Sequence, residues 1–474
     1  MLFKPFLLEG FFLLTSGLLR DIIEYILRYI HESNFIFKLK LKGSLHMLQT
    51  DPRYHHYVQI LREELVPAMG CTEPIAIAYG TAKARAVLGK LPDSVLVEAS
   101  GNIIKNVKSV VVPNTNGLKG IEAAAAAGIV AGKDEKILEV ISDVTEEQKE
   151  EIAAFLKTCP IRVVPDERNV VFAITFTLRA GDDVVRLRIE DYHTNIVFIE
   201  HNGVSLLKDG KVNPVSSSSS TLTDRSCLSV EGIYDFATTC DLEDVKPLIE
   251  RQISYNYAIA EEGMKSNWGA NIGKVIKTCC GTSIQYRARA MAAAASDARM
   301  SGCELPVIIV SGSGNQGITA SVPVVEYAKE LNVSHETMLR AVLLSDLLTI
   351  HMKTGIGRLS AYCGAVSAGC GAGAGIAYLH GGDADIVAHT LVNALAISSG
   401  IICDGAKPSC AAKISAAVDT GIMGYNMIRC GQEFHGGEGI VKKGVENTIV
   451  NIGRLGSRGM RETDKEIIRM MTGQ

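Results

Sequence analysis

From Asp244 onward the chain is a succession of helix-patterned segments built largely of alanine and glycine. YRARAMAAAASDARM (286–300), AVSAGCGAGAGIAYLH (365–380) and ADIVAHTLVNALAIS (384–398) are the clearest, with VPVVEYAKEL (322–331) and ETMLRAVLLSDLLTIHMK (336–353) between them. Their apolar residues recur at helical spacing. Side chains this small let helix axes approach closely, so the segments predict a tightly packed helical domain with glycine-built loops. Aromatic residues make up only 6% of the chain, which leaves little bulk to hold helices apart.

The region before it has another rhythm. SVLVEAS (94–100), VKSVVVP (107–113), IRVVP (161–165), VVFAITFTL (170–178), VVRLRIE (184–190) and NIVFIEH (195–201) are β-rich runs. IEAAAAAGIVAG (121–132) and EEQKEEIAAFLK (146–157) are helical between them. The pattern predicts a sheet with helices on one face. The fold class expected is α+β: an α/β sheet domain plus a larger Ala/Gly-rich all-helical domain that holds a metal site. The boundaries read as a non-core extension over 1–46, a helical segment over 47–91 and the α/β domain over 92–212. A Ser-rich linker over 213–244 leads to the helical domain over 245–474. In 47–91, YVQILREELVPAM (57–69) and IAIAYGTAKARAVLG (75–89) both have helical spacing. LPVIIV (305–310) reads as a short strand or a buried helix start.

Residues 1–46 are rich in Leu, Phe and Ile, but Lys4, Glu9, Arg20 and Asp21 interrupt any uncharged run of about 20 residues. Met47 opens a segment that reads as an ordinary cytosolic start. A cytoplasmic location with no membrane partner is expected. The net charge of −4 gives no reason to expect nucleic acid. Twelve cysteines in so long a chain point to reduced thiols, most of them small buried hydrophobes and a few of them ligands. Homo-oligomerisation is left open.

Four places offer chemistry. Ser311-Gly-Ser-Gly-Asn-Gln-Gly317 imitates a dinucleotide fingerprint, but a helix follows it where a second strand and an acidic residue are needed. Its glycines and helix start suit a carboxylate or a plain tight turn. Asn114-Thr-Asn-Gly117 is a ligand-facing loop or an ordinary Asn-Gly turn. Cys403 and Cys410 flank a Gly/Pro loop, and Cys363 and Cys370 lie seven apart upstream, on one helix face. Three such thiolates can hold three irons of a cubane; zinc prefers four ligands or a CxxC pair. Cys71, between Gly70 and a Thr-Glu-Pro helix start, would have its thiol pKa lowered by the helix dipole. His351 is a proton shuttle or a satisfied core residue.

GCTEPIAIAYGTAKA, GNIIKNVKSVVVPNTNGLKGIEAAAAAG, SGSGNQGITASVPV and CDGAKPSC together resemble the L-cysteine desulfidase family and a protein family related to it. More distantly they resemble the α chain of iron–sulfur L-serine dehydratases. The resemblance spans roughly residue 50 to the C-terminus. It implies cleavage of L-cysteine to pyruvate, ammonia and hydrogen sulfide. It implies an oxygen-labile [4Fe–4S] cluster, with no pyridoxal phosphate and no nicotinamide. By matching motifs, Cys363, Cys403 and Cys410 correspond to the ligands, with Cys370 close enough to compete for the first place, and Cys71 to the proton acceptor. The substrate carboxylate would fall to Ser311, Ser313 and Asn315 and to Asn114 and Asn116. Dehydration of L-serine or another β-substituted amino acid is the nearest alternative. A non-catalytic redox or oxygen sensor is the alternative of another class.

Overall fold

Asp51 accepts the Arg53 N–H and Pro52 sets the first turn, so α1 (Pro52–Glu64) begins there. The helical spacing through Met69 is not realised. Pro67 brings no N–H and disfavours helix in the residue before it, and β1 (Pro67–Met69) instead pairs antiparallel with residues 306–308. α2 (Thr72–Leu88) starts at Cys71 and ends at Gly89, whose φ of 75° only glycine takes readily. β2 (Ser94–Ala99), α3 (Gly101–Val107), α4 (Gly120–Ala131) and α5 (Glu146–Thr158) follow. Then come β3 (Ile161–Pro165), β4 (Ala173–Ala180), β5 (Asp183–Glu190), β6 (Ile196–His201) and β7 (Val204–Ser205).

These strands form a six-stranded sheet, order β3-β2-β4-β5-β6-β7, with β2 and β3 parallel and the other pairs antiparallel. Val95, Val97, Leu187 and Ile189 point to the buried face, which α2 covers over β4 and β5. Gly80 makes this possible, since a Cβ there would sit 2.2 Å from the Phe176 ring. One expected strand is absent. In 107–113, Val107 closes α3, and only Val111 makes a bridge, to Lys119. Val107, Val110 and Val112 are buried, and in the tight loop that follows α3 the Val112 N–H donates to Leu118 O at 2.9 Å. Their β-branched shape suits any buried surface, not only a ladder.

This computed structural model describes residue 47 and residues 49–168, 170–207 and 222–473. The 1–46 extension and the serine run at 216–220 fall outside those residues. The described residues from 49 onward form one compact unit. Within the stretch read as linker, α6 (Val230–Thr239) is capped by Ser229 and buries Ile233 and Phe236. The helical domain then runs α7 (Lys246–Lys265), α8 (Ile272–Cys280), α9 (Ile284–Met300), β8 (Pro306–Ile308), α10 (Gly314–Glu330) and α11 (His335–Ile356). It closes with α12 (Gly364–Leu379), α13 (Ala384–Ser398), α14 (Cys410–Arg429), α15 (Val445–Arg454) and α16 (Arg461–Thr472).

α12 is central, packed by α10, α11, α13 and α14. A Cβ on Gly369 would lie 2.3 Å from Ala417 O, and one on Gly421 would lie 2.1 Å from Gly369 O. Backbone therefore touches backbone between α12 and α14, which is what the small-residue composition is for. That contact also sets how close the N-termini of these two helices lie.

Asp346 of α11 is fully buried, with Oδ1 accepting from Gln252 Nε2 at 2.9 Å and Oδ2 left without a partner. Burial pushes its carboxyl up to about 8, so it keeps its proton at neutral pH. An unfolded chain loses that proton near pH 4. Stability should therefore fall as pH rises from about 4 to about 8. Asp346→Asn should remove this slope and stabilise the fold by about 1–3 kcal/mol at pH 7. Denaturant unfolding of both proteins from pH 5 to 8 checks it; equal slopes would mean that Asp346 is ionised in the fold.

Candidate functional site

Cys363 caps the N-terminus of α12 and Cys410 is the first residue of α14. Cys403 lies in the segment leading to α14. The Cys363 N–H donates to Ile401 O at 3.1 Å and the Cys403 N–H to Ala361 O at 2.6 Å, on either side of an antiparallel bridge between Tyr362 and Ile402. This short ladder lays Cys363 and Cys403 side by side. Cys410 joins them through the loop between, where Asp404 is gripped by Lys407 and Lys413. Gly405, at φ 92°, lets that loop press on α3: a Cβ there would lie 2.3 Å from Lys105 O.

Cys363, Cys403 and Cys410 line one cavity, together with Cys71. Cys370 does not; it is enclosed in the packing of α12. The structure thus brings the Cys363 member of that pair to the other two. Burial, with Cys403 next to it, pushes the Cys363 thiol up to about 12, and burial raises Cys410 too. Cys363 and Cys410, raised in this way, become thiolates most readily on binding a cation. Among the described residues, no group of three His, Cys, Asp or Glu is placed to hold a single metal ion. Three sulfurs spread around a cavity rather than converging on a point fit a larger, multi-iron group.

In the same cavity lining, Cys71 Sγ donates to Glu73 Oε2 at 3.1 Å. Glu73 also accepts from Thr72 Oγ1 at 3.1 Å and from Asn106 Nδ2 at 3.0 Å. His193 Nε2 lies 4.0 Å from Glu73 Oε1. The expectation that the helix dipole lowers the Cys71 thiol is overturned. Burial, and then the Glu73 carboxylate, raise it well above the usual thiol value. Burial works against the charge on Glu73, yet His193 and the Cys71 hydrogen bond hold its carboxyl down at about 2. The pair is therefore a thiol beside a carboxylate, both buried at the cavity lining.

Four helices turn their N-termini to this cavity. α2 contributes Cys71 and Glu73; α10 contributes Ser313, Asn315 and Gln316; α12 contributes Cys363 and Gly364; α14 contributes Cys410. Converging N-termini favour negative charge at the centre. Of the other sequence candidates, Ser313 and Asn315 line the cavity. Ser311 sits behind them, buried at φ 49° in the turn. Asn114 and Asn116 do not reach it. The Asn114 amide donates to Ile141 O at 2.8 Å, tying the loop to the segment before α5, and Asn116 is exposed. His351 is also elsewhere, 2.7 Å from Glu446 Oε2. Residues missed from sequence are Glu73, His193 and Arg299. Glu73 stood inside the GCTEP motif; His193, in a β-turn, and Arg299, at the end of an Ala-rich helix, gave no local signal.

The sequence profile of the serine dehydratase alpha chain matches residues 135–469. The chain belongs to this family. It is 60% identical over 428 residues to a UPF0597 protein of Desulfitobacterium hafniense, covering 90% of this chain and 99% of that one. A UPF0597 protein of Lachnoclostridium phytofermentans is 49% identical over 420 residues, covering 88% and 99%. One from Treponema denticola is 47% identical over 426 residues, covering 88% and 98%. The segment that matches the serine dehydratase family contains Cys363, Cys403, Cys410 and the loop at 311–317, whereas Cys71 and Glu73 precede it. Among the described residues no helix is long and apolar enough to cross a membrane.

Proposed function

We propose that the protein is an iron–sulfur lyase, independent of pyridoxal phosphate, that cleaves L-cysteine to pyruvate, ammonia and hydrogen sulfide. The observation that carries this is the meeting of Cys363, Cys403 and Cys410 with the buried Cys71–Glu73 pair around one cavity. Family membership supports a lyase, and the three thiols fit a [4Fe–4S] cluster held by Cys363, Cys403 and Cys410. When bound, the cluster supplies Lewis-acid polarisation of the substrate's leaving group.

The chain's own residues supply the proton chemistry. Cys71, as thiolate, takes the α-proton. Its resting proton lies on the hydrogen bond to Glu73, which orients the thiol, and Cys71 acts once that proton has been lost. Burial of the pair excludes water while the carbanion forms. Loss of sulfide leaves aminoacrylate, which hydrolyses in water to pyruvate and ammonia. The description of the family favours a second reading, L-serine dehydration.

The deciding assay is pyruvate, ammonia and sulfide release from anaerobically reconstituted protein given cysteine, serine or threonine. Equal pyruvate and sulfide from cysteine, well above the rate with serine, is expected. Faster pyruvate release from serine makes the protein a dehydratase. A complete cluster without turnover overturns the lyase reading in favour of a sensor.

A further inference from the structure

We infer that Arg299 takes the carboxylate of the amino-acid substrate. This rests on the lyase reading and names a residue that no sequence motif marks. Arg299, next to last in α9, is 2% exposed and lines the cavity of Cys71 and the three cysteines. Its Nε and Nη2 are buried without any hydrogen-bond partner. The cavity's other cations are engaged: Arg358 Nη2 donates to Glu64 Oε1 at 3.2 Å, and Lys353 Nζ donates to Gly357 O. A buried guanidinium with unmade bonds is costly, and its planar fork matches a carboxylate.

The surroundings are built around it. Gly314, the first residue of α10, lies so close that a Cβ there would be 2.4 Å from Arg299 Nε. Glycine at this place brings the α10 N-terminus, which also favours negative charge, against the guanidinium. The same cavity is lined by Asn106, Asn315 and Gln316, whose Oδ1, Oδ1 and Oε1 are likewise buried and unpaired. One cation with free donors and three free amide oxygens are complementary to a zwitterion: carboxylate on Arg299, ammonium on the amide oxygens. The carboxylate expected at the 311–317 and 114–117 loops therefore goes to the arginine against which Gly314 packs.

Two thiols separate the two ends of the substrate. 3-Mercaptopropionate has the carboxylate and no amine; cysteamine has the amine and no carboxylate. Each is titrated calorimetrically into anaerobic cluster-loaded protein, with visible absorption reporting the cluster. Arg299→Met should weaken 3-mercaptopropionate and raise KM for cysteine about 10- to 100-fold, the loss expected for hydrogen bonds to a charged group. Cysteamine binding and the absorption should stay unchanged. Arg299→Lys keeps a buried cation and should recover binding in part, because the bidentate geometry is lost. Equal weakening of both thiols, or unchanged 3-mercaptopropionate, overturns the inference. So does a cluster lost in Arg299→Met and kept in Arg299→Lys with normal 3-mercaptopropionate binding, since the charge then serves the cluster. Binding of 3-mercaptopropionate that depends on Arg299, in a protein that releases no sulfide, would keep the anchor and remove the cysteine reading.

Discussion

Cys403→Ser, purified without oxygen, should be almost colourless and nearly free of iron. The parent protein should be brown, with iron and acid-labile sulfide at about four each per chain, the cubane stoichiometry. A hydroxyl is too hard a donor to replace a thiolate on iron. The fold should survive the change. Cys403 is held in place by its backbone N–H bond to Ala361, which serine can make equally well. Circular dichroism separates loss of metal from loss of fold. Cys370→Ser is the control: outside the cavity, it should keep its iron and its activity. Full iron content in Cys403→Ser would remove that residue from the ligand set, and iron loss confined to Cys370→Ser would exchange Cys370 for Cys363.

Cys71→Ala should keep the cluster and lose turnover. Pyruvate release and exchange of the α-proton with deuterated solvent should fall together by about 10²–10⁴-fold, the usual cost of removing a positioned base. The sign of the pH dependence follows from the geometry. Burial and Glu73 raise the Cys71 thiol above its ordinary value, so the thiolate fraction is small at neutral pH and grows with alkalinity. The rising limb of kcat/KM should therefore lie on the alkaline side of an ordinary thiol. Glu73→Gln removes both the neighbouring charge and the carboxylate that accepts the S–H bond, and should move this limb to lower pH. In Cys71→Ala the limb should disappear. Near-normal turnover in that variant would make Cys71 a structural residue. Loss of iron would make it a ligand.

The two-part architecture was legible because periodicity is a local property. The β-rich runs at 94–100 and 184–190 became strands, and the Ala/Gly segments became helices. Errors arose where one composition serves two conformations. The valines of 107–113 have strand propensity, but tight loop hydrogen bonds claim their backbone. The helical spacing through 69 yielded to Pro67 and to a strand partner some 240 residues away.

By itself the sequence determined which residue types were available: thiols at 363, 403 and 410, a thiol and a carboxylate at one helix start, and the glycines that let α12 and α14 touch. Motif order was enough to suggest an iron–sulfur lyase. Tertiary structure decided which of these residues meet and in what state. It brought Cys363 to Cys403 through a ladder between segments 40 residues apart and left Cys370 inside its helix. It reversed the expected direction of the Cys71 shift, since desolvation and a carboxylate 3.1 Å away outweigh a helix dipole. It also revealed Arg299 and His193, whose neighbours along the chain say nothing of their role. Burial and charge pairing depend on distances across the fold, and no local pattern encodes them.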